Sequence, residues 1–305
     1  MADVMRTTPL PAAVAARGAE ARAAWALSAP ALLLMVLLLL LPTAAVLVLS
    51  FTDYELGARS VSFVGLDNYA SLWGDRIFRR SVANTMLYAA IVTPASVGLG
   101  LLVALLIEAE PRLRALFRTI YFMPVVSLIV AMATAWQYLL HPTIGPVNAL
   151  LRLVHLPGLN WLGSSDLVLF SLAGIGTWQQ VGFDMVLFLA GLTAIPRDLY
   201  AAAEMDGVRS AWDRFATVTW PLLAPTTLFV VTISLINAVK VFETVAALTQ
   251  GEPSHASEVL LWTIYQEGFA YLHVGSAAAM TVVFVAILLV VTLVQNRILE
   301  KRVHY

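Results

Sequence analysis

The sequence predicts an all-α membrane protein of six transmembrane helices, with a charged insert between the fourth and the fifth. Three observations predict it. Of the residues, 60% are hydrophobic and only 12% charged, with mean hydropathy +0.83, whereas a soluble domain carries about 25% charge. Six runs each supply the roughly 20 mostly apolar residues that a helix needs to cross a bilayer. The basic residues, finally, are distributed unevenly between alternate connections, as the positive-inside rule expects.

In chain order, residues 1–24 are rich in Ala and Arg and read as a flexible N-terminal tail. The first apolar run, Trp25–Phe51, far exceeds the roughly 7–15 residues of a cleavable signal core and is expected to stay in the membrane. The later spans fall near Asn84–Ile107, Arg118–Leu140, Val168–Ala194, Trp220–Glu243 and Val274–Val294. All should be helical, because backbone groups in lipid must be satisfied within their own segment. Residues 25–298 thus form the membrane domain and 299–305 a C-terminal tail. Pro42, Pro94 and Pro124 are expected to kink their spans. Gly98, Gly100, Gly174 and Gly176 allow close helix contact.

With the N-terminus inside, twelve of the eighteen basic residues are cytoplasmic: Arg6, Arg17, Arg22, Arg112, Arg114, Arg118, Arg197, Arg209, Arg214, Arg297, Lys301 and Arg302. Both termini are therefore expected inside. Tyr54, Tyr69, Trp73, Trp161 and Trp262 fall in or near the external loops, where an aromatic belt would lie. Net charge is −1, which points to neither nucleic acid nor an acidic ligand, and cysteine is absent, which removes thiolate chemistry.

The insert, Pro196–Pro225, reads as two short helices joined by a tight turn. Asp198 is placed to cap the first, and Asp206-Gly207 to end it, since glycine adopts the left-handed conformation of a C-cap. Ser210 to Asp213 has the form of a capping box. Ala201, Ala202 and Ala203 leave room for a partner to approach the backbone. Local chemistry alone equally allows a well-capped connector.

Polar residues inside spans are costly, so they mark function or pairing. Span 4 carries Trp178, Gln179, Gln180 and Asp184; span 5 carries Ser234, Asn237, Lys240 and Glu243; span 3 carries Trp136, Gln137 and Tyr138. Rings beside amides suit a sugar, covering its apolar face and pairing with its hydroxyls. The expected path residues are Trp178, Gln179, Ser234, Asn237, Lys240 and Glu243. Plainer roles stand beside this one. Lys240 and Glu243 can pair with each other, Gln179 and Asn237 can bond across helices, and Trp136 and Tyr138 can anchor the interface. For Asp184 an interhelical hydrogen bond is favoured over exposure to a cavity.

An ion-coupled secondary transporter using Asp184 is the alternative, but all five histidines lie outside the spans, which leaves no relay. No metalloprotease motif, metal cluster or catalytic constellation is present. Its two lysines, Lys240 and Lys301, sit in no phosphate-binding loop, so ATP hydrolysis is not expected of this chain.

The insert resembles the signature loop of permeases from binding-protein-dependent ABC importers. That loop runs Glu-Ala-Ala, three residues, Gly, nine residues, then Ile-x-Leu-Pro. Ala201-Ala202-Ala203 takes the first place, Asp206-Gly207 the second, Phe215 an aromatic place, and Val218 to Pro221 the last. Ala201 replaces the usual Glu and Trp220 the usual Leu. Further matches are Phe63 to Tyr69, Asn84-Thr85, Tyr121 to Pro124, Ile144 to Asn148, Asn160 to Leu162, Gly182-Phe183, Phe188 to Leu192 and Thr249 to Pro253. Together they resemble the first permease of the maltose and glycerol-phosphate branch. The resemblance implies an inner-membrane subunit that carries solute and is not itself an enzyme. It implies pairing with a second homologous permease, an ATPase dimer inside and a solute-binding protein outside. It also implies that ATP and Mg are bound by the ATPase, with no cofactor in this chain. The docking residues would be Ala201, Ala202, Ala203, Asp206, Gly207, Arg214, Phe215 and Pro221. The family's solute contacts fall on the middle-to-outer parts of spans 4 and 5.

Overall fold

The computed structural model describes residues 11–110 and 112–300. Arg6, Lys301 and Arg302, with the outer parts of both predicted tails, lie outside the described residues. Among the described residues the regular structure is helical, with one isolated antiparallel bridge between Thr52 and Phe63.

Helix α1 runs through Pro11–Met35, a wider π turn at Val36–Leu40, and Leu41–Leu49. Helix therefore starts within the predicted flexible tail, which corrects that expectation. The stretch after Pro11 is rich in alanine, the best helix former, and proline is tolerated at a first turn. The apolar window of α1, within Ala23–Leu49, contains no buried residue, though its Leu41–Leu49 part packs on the last helix. The chain then reverses around the Phe63 to Tyr69 segment. Asn68 donates to the carbonyls of Ser50 and Thr52, both at 2.9 Å, and the Tyr69 hydroxyl donates to Ser50 Oγ at 2.6 Å. Short α2 (Asp67–Gly74) leads into α3 (Arg76–Ala109), which Asp75 caps by accepting from Ile77 N at 2.7 Å.

The predicted third span is not one helix. It is α4 (Arg114–Val126) and α5 (Ile129–Leu139), bent by 99° at Ser127-Leu128. Pro124 lacks the N–H that would continue the ladder. Ser127 and Leu128 then turn extended, and Ser127 Oγ donates to the Met123 carbonyl at 2.8 Å. After α6 (Pro146–Leu153) comes α7 (Val168–Ala194), whose bounds match the predicted span. The insert supplies α8 (Arg197–Met205), turned 65° from α7, and α9. Helix α9 consists of Ala211–Arg214, a π turn at Phe215–Thr219, and Trp220–Leu222. Span 5 is α10 (Ala224–Val239), broken at Lys240 to Phe242 and resumed as α11 (Glu243–Leu248). Then follow α12 (Leu260–Tyr265, with a π turn at Gln266–Ala270) and α13 (Val274–Glu300). Four helices are long and apolar enough to cross a membrane, and up to six if each bent pair is one span.

Helices α3 and α7 form the most extensive pair. Two glycines explain the closeness. A Cβ on Gly176 would fall onto the Tyr88 hydroxyl, and one on Gly100 would meet Asp184 Cβ at 2.7 Å. The close contact expected at Gly98 and Gly174 is absent, since nothing lies within 4 Å of a Cβ built at either. One core cluster gathers Phe78, Tyr88, Leu172, Val239, Trp262 and Met280; a second, toward the insert, gathers Ile107, Met185, Phe188 and Leu223; a third, smaller one gathers Ile129, Leu140 and Ile175.

Candidate functional site

The break in span 5 is the centre of the first site. Helix α10 stops at Val239, and Lys240 to Phe242 are unwound. Interrupting a spanning helix frees backbone groups, which is tolerated only inside protein or beside a cavity. A cavity of about 230 Å³ lies there, between α3, α7 and the α10–α11 junction. Gln179, Asn237, Lys240 and Glu243 line it. Lys240 and Glu243 form no ion pair with each other, and both line the cavity. Gln180, Tyr88, Gly176 and Phe242 are also part of the wall.

Two expected path residues sit elsewhere. Ser234 is fully buried and donates to Asp184 Oδ1 at 2.6 Å, away from the cavity wall. Trp178 packs edge-on against Trp136, with ring centroids 5.3 Å apart, and so ties α7 to α5. Asp184 is itself buried at the crossing of α3, α7 and α10. Gln180 Nε2 donates to it at 3.1 Å, and Ser96 lies against the same carboxyl. It does not line the cavity. Trp262, expected in an aromatic belt, is instead buried against Phe242 and Tyr265.

Polar residues at the start of span 2 and in the loop after span 3 act as clamps. Asn84 Nδ2 faces the carbonyls of His255, Ala256 and Glu258, and Thr85 Oγ1 accepts from Leu260 N at 2.9 Å. Asn148 accepts from Leu159 N and from the Trp161 indole, at 3.0 and 3.1 Å. These bonds fix the two long loops on the cavity side.

The second site is the insert, which α7 carries at its far end. Gly207, at φ +93°, closes α8 with the paired bonds of a Schellman turn: Gly207 N to Glu204 O at 3.1 Å and Val208 N to Ala203 O at 3.0 Å. Ser210 Oγ accepts from Asp213 N at 3.0 Å, as a capping serine does. Asp198 does not cap α8. Pro196 holds the cap position, and Asp198 lies in the first turn, where its charge still favours the helix dipole. Two cross-links stiffen the insert, Arg214 to Glu204 at 3.0 Å and the Tyr200 hydroxyl with Thr219 Oγ1 at 3.1 Å. Ala201, Ala202, Asp206 and Gly207 are exposed, with Ala203 half-buried. Phe215 packs between the tilted rings of Trp212 and Trp220, and Pro221 lies in the last, Trp220–Leu222 part of α9.

Residues 96–305 match the family model described as "Binding-protein-dependent transport system inner membrane component". The chain belongs to that family. This inner membrane component is an ABC importer permease subunit. It is 32% identical over 282 residues to the sn-glycerol-3-phosphate transport system permease protein UgpA of Agrobacterium fabrum, covering 92% of this chain and 95% of that one. It is also 32% identical over 247 residues to a probable ABC transporter permease protein of Pyrococcus horikoshii, covering 80% of this chain and 84% of that one. Among solved structures, its fold resembles a chain of a bacterial ABC transporter involved in the import of the acidic polysaccharide alginate. The TM-score is 0.80 at 23% identity, covering 92% of this chain and 97% of the other. The same kind of transporter, in complex with an alginate pentasaccharide-bound periplasmic protein, gives a TM-score of 0.78 at 24% identity.

Proposed function

We propose that this permease forms half of the path for a sugar, polyol or glycerol-phosphate-like solute, and that the insert couples the path to a separate ATPase. The observation that carries the reading is the cavity at the span 5 break. Its wall presents the amides of Gln179, Gln180 and Asn237, one cation, one anion and the rings of Tyr88 and Phe242. Amides and rings together suit a hydroxylated solute. The unpaired Lys240 adds a contact for a phosphate or carboxylate. The solutes in the names of the relatives, glycerol phosphate and alginate, support that class.

In this reading the chain lies in the bacterial inner membrane with both termini cytoplasmic. A second homologous permease closes the other half of the path. The unburied window of α1 supports this, since a helix that packs on α13 through its Leu41–Leu49 part and has no buried residue in its apolar window keeps most of its surface for lipid or a partner. An ATPase dimer sits under Ala201, Ala202, Ala203 and Asp206-Gly207, and holds the ATP and Mg. A solute-binding protein delivers from outside. ATP closing that dimer moves the stapled insert. The continuous helix α7 transmits the motion over roughly 20 Å, from Ala194 back to Gln179. The two access states differ in free energy by what ATP and the loaded binding protein contribute.

The test is uptake by assembled complexes carrying Asn237→Leu or Gln179→Leu. Each removes hydrogen bonds to the solute, and uptake at limiting solute should fall roughly tenfold. Wild-type kinetics in both would remove the cavity from the path.

A further inference from the structure

At the insert end a second, larger cavity of about 1040 Å³ lies between α3, α7 and the insert. Its wall changes character along its length. Leu101, Leu102 and Leu105 of α3 make one part apolar. Arg114, Arg197 and Arg214 line the other part, with Glu108 and Glu204. Arg114 pairs with Glu108 at 3.1 Å and Arg214 with Glu204 at 3.0 Å. Arg197 forms no ion pair among the described residues and is exposed. The groove therefore carries a net positive charge, three arginines against two glutamates.

We infer that this groove holds an anionic phospholipid. One acyl chain would lie along Leu101, Leu102 and Leu105, and the phosphate would meet Arg197. The argument is one of matched gradients. Span 2 passes from apolar to polar at Glu108, where a bilayer passes from hydrocarbon to headgroup. Basic pockets between spanning helices at that depth recognise acidic headgroups. The exposed Leu102, on a spanning helix, leaves the apolar part open to lipid. Arg114 and Arg214 already have acids, which leaves Arg197 as the cation free for the phosphate. The occupant would brace α8 and α9 against α3, so the lipid would stiffen the insert. This inference requires only that the chain spans a bilayer; it does not rest on the solute reading.

Native mass spectrometry of the assembled complex tests it, after purification from membranes with equal phosphatidylglycerol and phosphatidylethanolamine. The wild type should retain phosphatidylglycerol preferentially. Arg197→Gln, which removes the free cation, and Leu102→Trp, which fills the apolar part, should each lower that retention roughly fivefold. Phosphatidylethanolamine retention should not change. Equal phosphatidylglycerol retention in all three proteins overturns the inference, as does equal loss of both lipids in the variants. A cysteine at Leu102 that cross-links to another subunit also overturns it, because protein then fills the groove.

Discussion

A carboxyl group in the middle of a helix bundle costs several kcal/mol unless its oxygens are engaged. Ser234 and Gln180 both donate to Oδ1 of Asp184, and Gly100 lets α3 come close over it, while Oδ2 has no hydrogen-bond partner among the described residues. It works as a three-helix joint. Ser234→Ala should lower the stability of the purified complex by about 1–3 kcal/mol, read as a drop in melting temperature. An unchanged melting temperature would mean that the joint bears nothing. The polar residues of this region were legible because amides and charges are rare in apolar runs, and Gln179, Asn237, Lys240 and Glu243 do meet at one cavity. Ser234 and Trp178 misled for the same reason, since rarity does not tell a solute contact from an internal bond. Tyr88, Gly176 and Phe242 were not legible. An aromatic ring or a glycine in an apolar run has the same pattern whether it packs or lines a cavity.

At the scale of elements, α7 has the bounds that its apolar run predicts, because the Pro196 that follows ends it cleanly. The two breaks were harder to foresee. Pro124 announces a kink, yet the 99° turn comes after it, at Ser127-Leu128. The break at Lys240 to Phe242 contains neither proline nor glycine, so only tertiary surroundings dictate it. Close packing also depends on Gly182, where a Cβ would fall onto the Tyr121 carbonyl. Gly182→Val should separate α4 from α7 and cost roughly 1–3 kcal/mol, seen as reduced yield of assembled complex. Normal yield and melting temperature would contradict that packing. In the insert, Gly207 holds a left-handed conformation that a β-branched residue adopts only at a cost of roughly 1–2 kcal/mol. Gly207→Val should leave the spanning helices intact and weaken solute-stimulated ATP hydrolysis severalfold. Unchanged stimulation in a normally assembled complex would sink the coupling role of α8.

In the whole molecule a single unbroken helix, α7, runs from the cavity wall at Gln179 to the insert that follows Ala194. The part of the molecule least able to stand alone is α1, whose apolar window is wholly unburied. The coupling role proposed for α8 needs its exposed alanines to meet an ATPase, even though Ala201 stands where the signature loop that the insert resembles has a carboxylate. The chain contains no cysteine, so Ala202→Cys introduces a single thiol. The most direct measurement is disulfide cross-linking of that thiol, in the assembled complex, to single cysteines placed around the surface groove of the ATPase. The account predicts a covalent permease–ATPase product that forms at one edge of the groove and changes in yield when ATP is bound. Co-purification of both subunits with no cross-link at any groove position would contradict it.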